Sequence, residues 1–256
     1  MILTDTHTHL YSKDFDPDRS ELIETAIKSG IKRFFLPNVD SESIPGMFQM
    51  EKQFPDNCFA MMGLHPCSVN STYQDELQVV KHWLSKRKFI GIGEIGIDLY
   101  WDKTFIQEQQ DAFRTQIQLA KENNLPYVIH SRDSFNEVME IVGEFKNDAI
   151  KAIFHCFSGN VQQAEEVIAA GNFKLGIGGV VTFKNSGLDK VVEVIDLKHL
   201  VLETDAPYLA PMPYRGKRNK PDYLLLIAKK IAEIKNISVE EVAAVTTQNS
   251  IEVFGF

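Results

Sequence analysis

The sequence predicts a TIM-type (β/α)8 barrel. The prediction rests on a length of 256 residues, eight apolar segments with the character of β-strands, and helical patterns between them. Most of these segments are apolar on both faces, as is typical of parallel strands covered by helices. Eight such strands alternating with helices in a chain of this length indicate a barrel. No linker or short repeat divides the chain, so we expect residues 1–256 to form one domain.

The eight predicted strands are short apolar runs bounded by polar or turn-forming residues. They cover residues 2–8, 32–39, 58–64, 89–95, 127–130, 152–156, 173–177 and 200–204. Between them, residues 105–123 and 162–170 carry apolar side chains at helical spacing. Two final helices, over residues 222–235 and 239–253, would complete the outer ring, and Ser238 and Glu241 have the spacing of a capping box.

Composition and charge argue against several classes of protein. No apolar run approaches the ~18 residues of a membrane span, and the N-terminus lacks the pattern of a secretory signal, so we expect neither. Cys58, Cys67 and Cys156 lack metal-type spacing, which favours reduced thiols in a cytoplasmic protein. The net charge of -8 argues against broad polyanion binding. Bound cations and a local basic patch could still reverse the sign at one site.

Chemically informative side chains stand where the predicted strands end. At the first strand, alternation would place Asp5, His7 and His9 on one face, where the two histidines could hold a metal ion. Asp5 would then fix the tautomer of an imidazole. The ends of later predicted strands carry further residues of this kind: His65, Glu94, His130, His155, and the pair Glu203 and Asp205.

Five of the seven histidines therefore stand at strand ends; His82 and His199 do not. A single histidine after an apolar run is more often a hydrogen-bonded boundary residue than a ligand. The C-terminal ends of parallel barrel strands, however, meet at one mouth, where barrel enzymes carry their active sites. Four histidines with two carboxylates at that mouth would suit a dinuclear metal centre.

Seven motifs follow one another in an order typical of one family. They are residues 5–9 (DTHTH), 63–66 (GLHP), 93–98 (GEIGID), 130–132 (HSR), 155–159 (HCFSG), 203–209 (ETDAPYL) and 215–219 (RGKRN). On these motifs the chain resembles the TatD family of metal-dependent deoxyribonucleases, within the amidohydrolase-like superfamily. The resemblance covers essentially the whole chain. It implies a barrel hydrolase that cleaves phosphodiester bonds of DNA as an exonuclease. A narrow barrel mouth would favour single-stranded ends, because an end can thread where continuous duplex cannot.

The resemblance also implies two divalent metal ions, Mg, Mn or Zn, with Ni and Co as further options. One ion would be held by His7, His9, Glu94 and Asp205, and the other by Glu94, His130 and His155. Glu94 would bridge the ions and act in catalysis with Asp205, which would orient the attacking water or accept its proton. Glu203, on the same face as Asp205 but deeper in the strand, would support these ligands or be a hydrogen-bonded acid of the barrel. Asp98 would orient a ligand or a loop.

Substrate contacts are expected from side chains around the same mouth. His65 supplies no ligand in the family pattern and would contact a phosphate. Arg132 could hold a phosphate through two hydrogen bonds, or could form a surface salt bridge. A basic segment over residues 214–220 would contact the phosphate backbone of the substrate, or be a solvated loop. Its cations are Arg215, Lys217, Arg218 and Lys220. Three aromatic residues could stack on bases or serve in loop packing: Tyr100, Phe157 and Tyr208. Tyr100 and Trp101 follow Asp98 as an aromatic patch that would form a wall of the groove.

Two other functions stay open. A hydrolase of C–N or ester bonds in small molecules could use the same ions, although a neutral substrate needs no cluster of cations. A non-enzymatic binding protein could use the metals for stability, although structural sites are usually completed by fewer, often cysteine, ligands. We expect DNA as the partner, no obligate protein partner, and a monomer. The working metal, the polarity of cleavage and the choice between DNA and RNA are left open.

Overall fold

Eight parallel strands form one sheet in the order β1 to β8 in a computed structural model of the chain, which describes residues 1–146 and 148–256. Backbone hydrogen bonds from Thr6 N–H to the Leu202 carbonyl and from Asp205 N–H to the His7 carbonyl, both 2.9 Å, join the segments after β1 and β8. They return the last strand to the first, which nearly closes the barrel. The predicted (β/α)8 fold is confirmed. The strands are β1 (Leu3–Asp5), β2 (Ile31–Pro37), β3 (Cys58–Met62), β4 (Gly91–Asp98), β5 (Tyr127–Arg132), β6 (Lys151–Phe154), β7 (Asn172–Ile177) and β8 (Leu200–Leu202).

Helices fill the connections and cover the outside of the barrel. The predicted helices are found within one or two residues of their expected limits. The last helix begins at the Ser238 cap, whose hydroxyl accepts a hydrogen bond from Glu241 N–H. The helices are α1 (Arg19–Lys28), α2 (Ile44–Gln53), α3 (Tyr73–Lys86), α4 (Ile106–Asn123), α5 (Phe135–Glu144), α6 (Val161–Ala170), α7 (Leu188–Val194), α8 (Leu224–Lys235) and α9 (Val239–Phe254). Among the described residues, no helix has the length and apolar character needed to cross a membrane.

Strand limits at the mouth differ from the predicted ones. β1 ends at Asp5 and β8 at Leu202, so the alternation expected to align Asp5 with His7 and His9 does not extend to the histidines. Their segment instead bonds to the one that follows β8. β4 continues to Asp98, opposite Arg132 of β5, which places Glu94 inside the strand rather than at its end. The β4–β5 register shifts around Glu94, between Ile92 and Ile95.

An apolar cluster fills the barrel behind the polar mouth. It combines inward-facing residues of the strands with the end of α9 and is almost fully buried. Because water is excluded there, the polar residues at the mouth lie on a closed, low-dielectric floor, where electrostatic interactions are stronger than in water. The cluster consists of Phe35, Met61, Val128, Ile153, Val201, Val253 and Phe254.

Candidate metal centre

The predicted ligands of the first ion converge at the barrel mouth. His7 Nε2 lies 3.1 Å from Glu94 Oε2 and 3.3 Å from His9 Nε2. Asp205 Oδ1 lies 3.5 Å from His9 Nε2 and 3.9 Å from His7 Nε2. All four residues are buried. Nitrogen and carboxylate donors from three separate parts of the chain therefore face one small volume.

The spacing of these donors fits a metal ion. The three separations among His7 Nε2, His9 Nε2 and Glu94 Oε2 are 3.1, 3.3 and 3.6 Å. A tetrahedral ion with bonds of about 2.0–2.1 Å has ligand-to-ligand separations of about 3.3–3.4 Å. These donors are thus already spaced as ligands of one cation.

Glu94 presents its second oxygen to a different set of imidazoles. Its Oε1 lies 2.8 Å from His130 Nδ1, 3.5 Å from His65 Nε2 and 3.8 Å from His155 Nε2. A carboxylate whose two oxygens face two sets of donors has the arrangement required to bridge two ions. His155 Nε2 also lies 3.7 Å from Asp205 Oδ1, so it faces both donor sets.

Polar groups behind His9 and His155 indicate which nitrogen of each ring is available to a metal. The Tyr11 hydroxyl donates its proton to the Pro37 carbonyl and lies 2.8 Å from His9 Nδ1. Its oxygen must therefore accept from His9 Nδ1–H, which leaves a lone pair on His9 Nε2. His155 Nδ1 lies 2.9 Å from Glu203 Oε1, and a carboxylate there favours a proton on Nδ1. Both rings thus direct Nε2 at the donor cluster.

His65 has the opposite tautomer. Its Nδ1 accepts a hydrogen bond from Cys67 N–H at 3.0 Å and so carries no proton. A neutral imidazole has one ring proton, which must then be on Nε2. His65 lies within reach of Glu94 and His130, in a group of residues that could hold an ion. Its Nε2–H nevertheless makes it a hydrogen-bond donor rather than a metal ligand.

His130 is held between two carboxylates. Its Nδ1 lies 2.8 Å from Glu94 Oε1, and its Nε2 lies 2.8 Å from Asp98 Oδ2. The other Asp98 oxygen accepts hydrogen bonds from the backbone N–H groups of Tyr100 and Trp101, at 3.0 and 3.2 Å. Asp98 therefore fixes the orientation of His130 and the position of an aromatic loop at the same time.

The charge balance of the centre favours a cation. Burial opposes ionisation of Glu94 and Asp205, but the surrounding histidines outweigh it and hold the pKa of both carboxyls below its ordinary value. Burial would also lower the pKa of His155, yet the carboxylates, Glu203 foremost, raise it to about 10. In the absence of a metal, the anionic cluster thus retains a proton on His155. A bound cation would replace that proton.

The structure corrects the role predicted for Asp5. This fully buried carboxyl accepts hydrogen bonds from the Thr204 N–H at 2.9 Å, the Thr204 hydroxyl at 2.6 Å and the His7 N–H at 3.3 Å. It contacts no imidazole, and His7 Nδ1 has no hydrogen-bond partner among the described residues. Asp5 therefore fastens the segment after β1 to the segment after β8 and does not set a tautomer. Burial raises the pKa of Asp5 to about 8.

Glu203 lies directly behind the ligand cluster. Besides facing His155, its Oε1 accepts a hydrogen bond from Cys156 N–H at 2.5 Å. The neighbouring strand β7 makes room for it with Gly176, where a Cβ atom would lie 2.2 Å from Glu203 Oε2. A side chain at position 176 would therefore displace the carboxylate that orients His155.

A cleft of about 940 Å³ opens above the centre. Four of the predicted substrate contacts line it: His65, Arg132, Arg215 and Lys217. Arg218 does not line it, because its guanidinium donates to both oxygens of Asp18, at 2.9 and 2.5 Å. The predicted phosphate contact of Arg218 is therefore corrected: this residue ties the loop after β8 to the start of α1.

Sequence reasoning missed two residues that hold the site in shape. Tyr11, which sets the tautomer of His9, gave no signal beyond its spacing of two from that histidine. Asn219 is fully buried, and its amide donates to the carbonyls of Thr204 and Tyr208, both at 2.7 Å. It anchors the loop after β8 and is the last residue of the RGKRN motif, so only the motif drew attention to it.

A (β/α)8 barrel with a histidine–carboxylate cluster at its C-terminal mouth is an arrangement suited to a metal-dependent hydrolase. The chain belongs to the TatD family: residues 4–255 match the family described as "TatD related DNase". The resemblance drawn from the seven motifs is thereby confirmed.

Relatives and solved structures agree with this assignment. The chain is 39% identical over 254 residues to the "uncharacterized metal-dependent hydrolase YabD" of Bacillus subtilis, with 99% of both chains covered. It is 29% identical over 256 residues to the "3'-5' ssDNA/RNA exonuclease TatD" of Pectobacterium carotovorum, with 98% of both covered. The crystal structure of YJJV, a TatD homologue from Escherichia coli K12, superposes with a TM-score of 0.92 at 26% identity, covering 99% of this chain and 98% of that one.

Proposed function

We propose that this protein is a deoxyribonuclease that removes nucleotides from single-stranded DNA ends with the aid of two divalent ions. One observation carries the proposal. The ionised Glu94 and Asp205 lie at the floor of a cleft whose rim presents the cations Arg132, Arg215 and Lys217. The chain has a net charge of -8, so these cations give the rim of the cleft a charge opposite in sign to that of the protein as a whole. That arrangement suits a polyanion whose scissile phosphate must approach bound metals.

We assign the metal ligands as His7, His9, Glu94, His130, His155 and Asp205. Ions at these positions would lower the pKa of a bound water and stabilise charge on a phosphoryl oxygen. Glu94 holds the two donor sets together through its separate oxygens. Asp205, whose pKa is held low by His155, His9 and His7 against the effect of burial, is an ionised base at neutral pH. Its carboxylate orients the attacking water and accepts its proton.

His65 and Arg132 are the groups of this chain that we assign to the phosphate. His65 donates from Nε2–H, because Cys67 N–H occupies its other nitrogen. Burial lowers the pKa of His65, which keeps the imidazole neutral; the residue lines the cleft, with Nε2 3.5 Å from Glu94 Oε1. Arg132 adds a planar guanidinium that can donate two parallel hydrogen bonds to one phosphate.

The preference for a single-stranded end follows from the shape of the mouth. The ligands are buried, so a phosphodiester must enter the cleft to reach them, and an end can enter where continuous duplex cannot. A relative whose name is "3'-5' ssDNA/RNA exonuclease TatD" supports this substrate class and leaves RNA as a second substrate to test. The monomeric state and the cytoplasmic location expected from the sequence stay predictions.

The test is cleavage of end-labelled single-stranded DNA by metal-stripped protein, with magnesium, manganese and zinc added back separately. Wild type is compared with Glu94→Gln and Asp205→Asn, and with Glu165→Gln as a matched carboxylate change on the exposed face of α6. We expect a metal-dependent nucleotide ladder from wild type and Glu165→Gln. Loss of one catalytic group should reduce the rate by about 10²- to 10⁴-fold in the other two variants.

Three outcomes would count against the proposal. Equal cleavage of closed circular and linear DNA would refute action at ends. Undiminished activity in both site variants would assign the cleavage to a contaminating nuclease. Hydrolysis of small amides or lactones with no cleavage of nucleic acid would assign the same centre to small-molecule chemistry.

A further inference from the structure

Two adjacent aromatic side chains stand exposed on the rim of the cleft. Tyr100 is 53% and Trp101 68% exposed, and Trp101 lines the cleft. Their ring centroids are 4.9 Å apart and their planes are nearly perpendicular, at 87°. Because the two rings are not stacked face to face, much of their surface stays in contact with water. Leaving this much aromatic surface in water at the entrance of a catalytic cleft is typical of a ligand contact rather than of packing.

Arg132 completes this surface. Its guanidinium carbon lies 3.8 Å from the centroid of the Tyr100 ring and 5.3 Å from that of Trp101. Among the described residues it forms no ion pair, so the surface salt bridge considered from the sequence does not account for it. A guanidinium that stacks through its face keeps its N–H edge free for an anion. The cation and the two rings therefore form one continuous surface beside the metal centre.

This surface is fixed relative to the metal centre. Asp98 accepts hydrogen bonds from the backbone of both aromatic residues through Oδ1 and faces His130 through Oδ2. Arg132 lies opposite Asp98 in the β4–β5 ladder, two residues beyond His130. The same carboxylate thus positions a predicted metal ligand and the backbone from which both aromatic rings extend.

We propose that Tyr100, Trp101 and Arg132 form a nucleotide subsite in which Trp101 stacks on an unpaired base and Arg132 contacts the adjoining phosphate. This inference rests on the proposed function and adds to the shape of the mouth a set of side chains that selects an unpaired base. Stacking needs an open base face, which a base inside a duplex lacks because its neighbours cover it. Stacking is also tolerant of sequence, since every base has such a face.

The chain offers a direct optical test. It has two tryptophans, and the second, Trp83, is half-buried against Phe48 with ring centroids 4.9 Å apart. Tryptophan fluorescence of the full-length, metal-loaded protein is titrated with oligothymidylate whose phosphorothioate linkages slow cleavage. An abasic oligomer with the same linkages is the matched ligand. Trp83→Phe leaves Trp101 as the reporter, and Trp101→Phe leaves Trp83.

We expect saturable quenching by oligothymidylate in wild type and Trp83→Phe, little quenching by the abasic oligomer, and none in Trp101→Phe. In fluorescence anisotropy with a labelled oligomer, Trp101→Ala should bind about 5- to 150-fold more weakly, the range for loss of one base stack. No quenching in Trp83→Phe, or equal binding of the abasic oligomer, would overturn the subsite. Normal cleavage with unchanged affinity in Trp101→Ala would overturn it while the nuclease stands. Base-dependent quenching without cleavage by any metal would support the subsite and refute the proposed function.

Discussion

Lys217 and Arg218 are adjacent cations to which the structure gives different surroundings. Lys217 lines the cleft, whereas Arg218 is paired with Asp18. Replacing each by alanine removes the same formal charge one residue apart. We expect Lys217→Ala to weaken substrate binding and Arg218→Ala to lower the stability of the fold. Comparing the two variants therefore separates an effect on substrate binding from an effect on stability.

The size of the Lys217 effect follows from counterion release. One contact to a single-stranded phosphate contributes about 0.7 to the slope of log affinity against log salt concentration. Between 50 and 200 mM salt, a fourfold change, that contact alone accounts for about a 2.6-fold change in affinity. Lys217→Ala should therefore raise the Michaelis constant most at low salt and reduce its salt dependence by this factor. Turnover should change less than the Michaelis constant.

The size of the Arg218 effect follows from a partly exposed ion pair. The Arg218 and Asp18 side chains are 29% and 32% exposed, so solvent screens much of their attraction. Such a pair contributes at most about 1 kcal/mol, which corresponds to about 2–4 °C in melting temperature for a chain of this size. Asp18→Ala should cause a similar loss, and the double variant should lose less than the sum of the two single changes.

The assay combines steady-state cleavage of a single-stranded oligonucleotide at several sodium chloride concentrations with thermal melting of the same variants. Asp18→Ala is the control, since it breaks the pair without removing a cation. The reasoning is refuted if Arg218→Ala reduces the salt slope as much as Lys217→Ala does. It is also refuted if Lys217→Ala leaves the Michaelis constant unchanged at low salt, which would return the loop to the solvated-surface interpretation.

Three further predictions concern protons in the centre. His65→Gln should retain more turnover than His65→Asn, because the longer glutamine amide can supply a donor near the Nε2 position. His65→Asn should lose about 10²- to 10³-fold in turnover, the loss typical of one oxyanion donor. Equal losses of turnover in the two variants would contradict the donor role. Metal binding should release protons and strengthen as pH rises from 6 to 8, because the carboxylates outweigh burial and raise the pKa of His155 to about 10; calorimetry in buffers of different ionisation enthalpy measures this. Burial raises the pKa of Asp5 from 3.8 to about 8, so between pH 3.8 and pH 8 the folded state holds a proton on Asp5 that the unfolded state has lost. The metal-free wild type should therefore lose stability relative to Asp5→Asn as the pH rises through this range. Urea denaturation measures this difference, and parallel curves of stability against pH for the two proteins would contradict the prediction.

The barrel could be predicted because its pattern is local and repeated. Each strand is a short apolar run and each helix has its own spacing, so the order of elements follows from the sequence. The strand ends could not be predicted, because they depend on partners far along the chain. Alternation applies only within a ladder, and β1 leaves the ladder after Asp5, where Thr204 becomes its hydrogen-bond partner.

The identity of the candidate ligands could be predicted, but their protonation could not. Histidines at strand ends are visible in the sequence, whereas the nitrogen that carries the proton depends on contacts such as Tyr11 with His9 and Cys67 N–H with His65. The basic segment shows the same limit. A run of cations gives no direction for its side chains, so only the position of Asp18 distinguishes Arg218 from Lys217.

Three buried carboxylates share one feature: each contacts an imidazole and also a second group of the site. Glu94 faces two sets of imidazole nitrogens, and Asp98 joins His130 to the aromatic loop. Glu203 Oε1 contacts both His155 and the backbone N–H of the next residue. Because each carboxylate couples an imidazole to a second element, the position of one cannot shift without the other. The donors are therefore held in place before any metal or substrate arrives, so binding need not pay for ordering them.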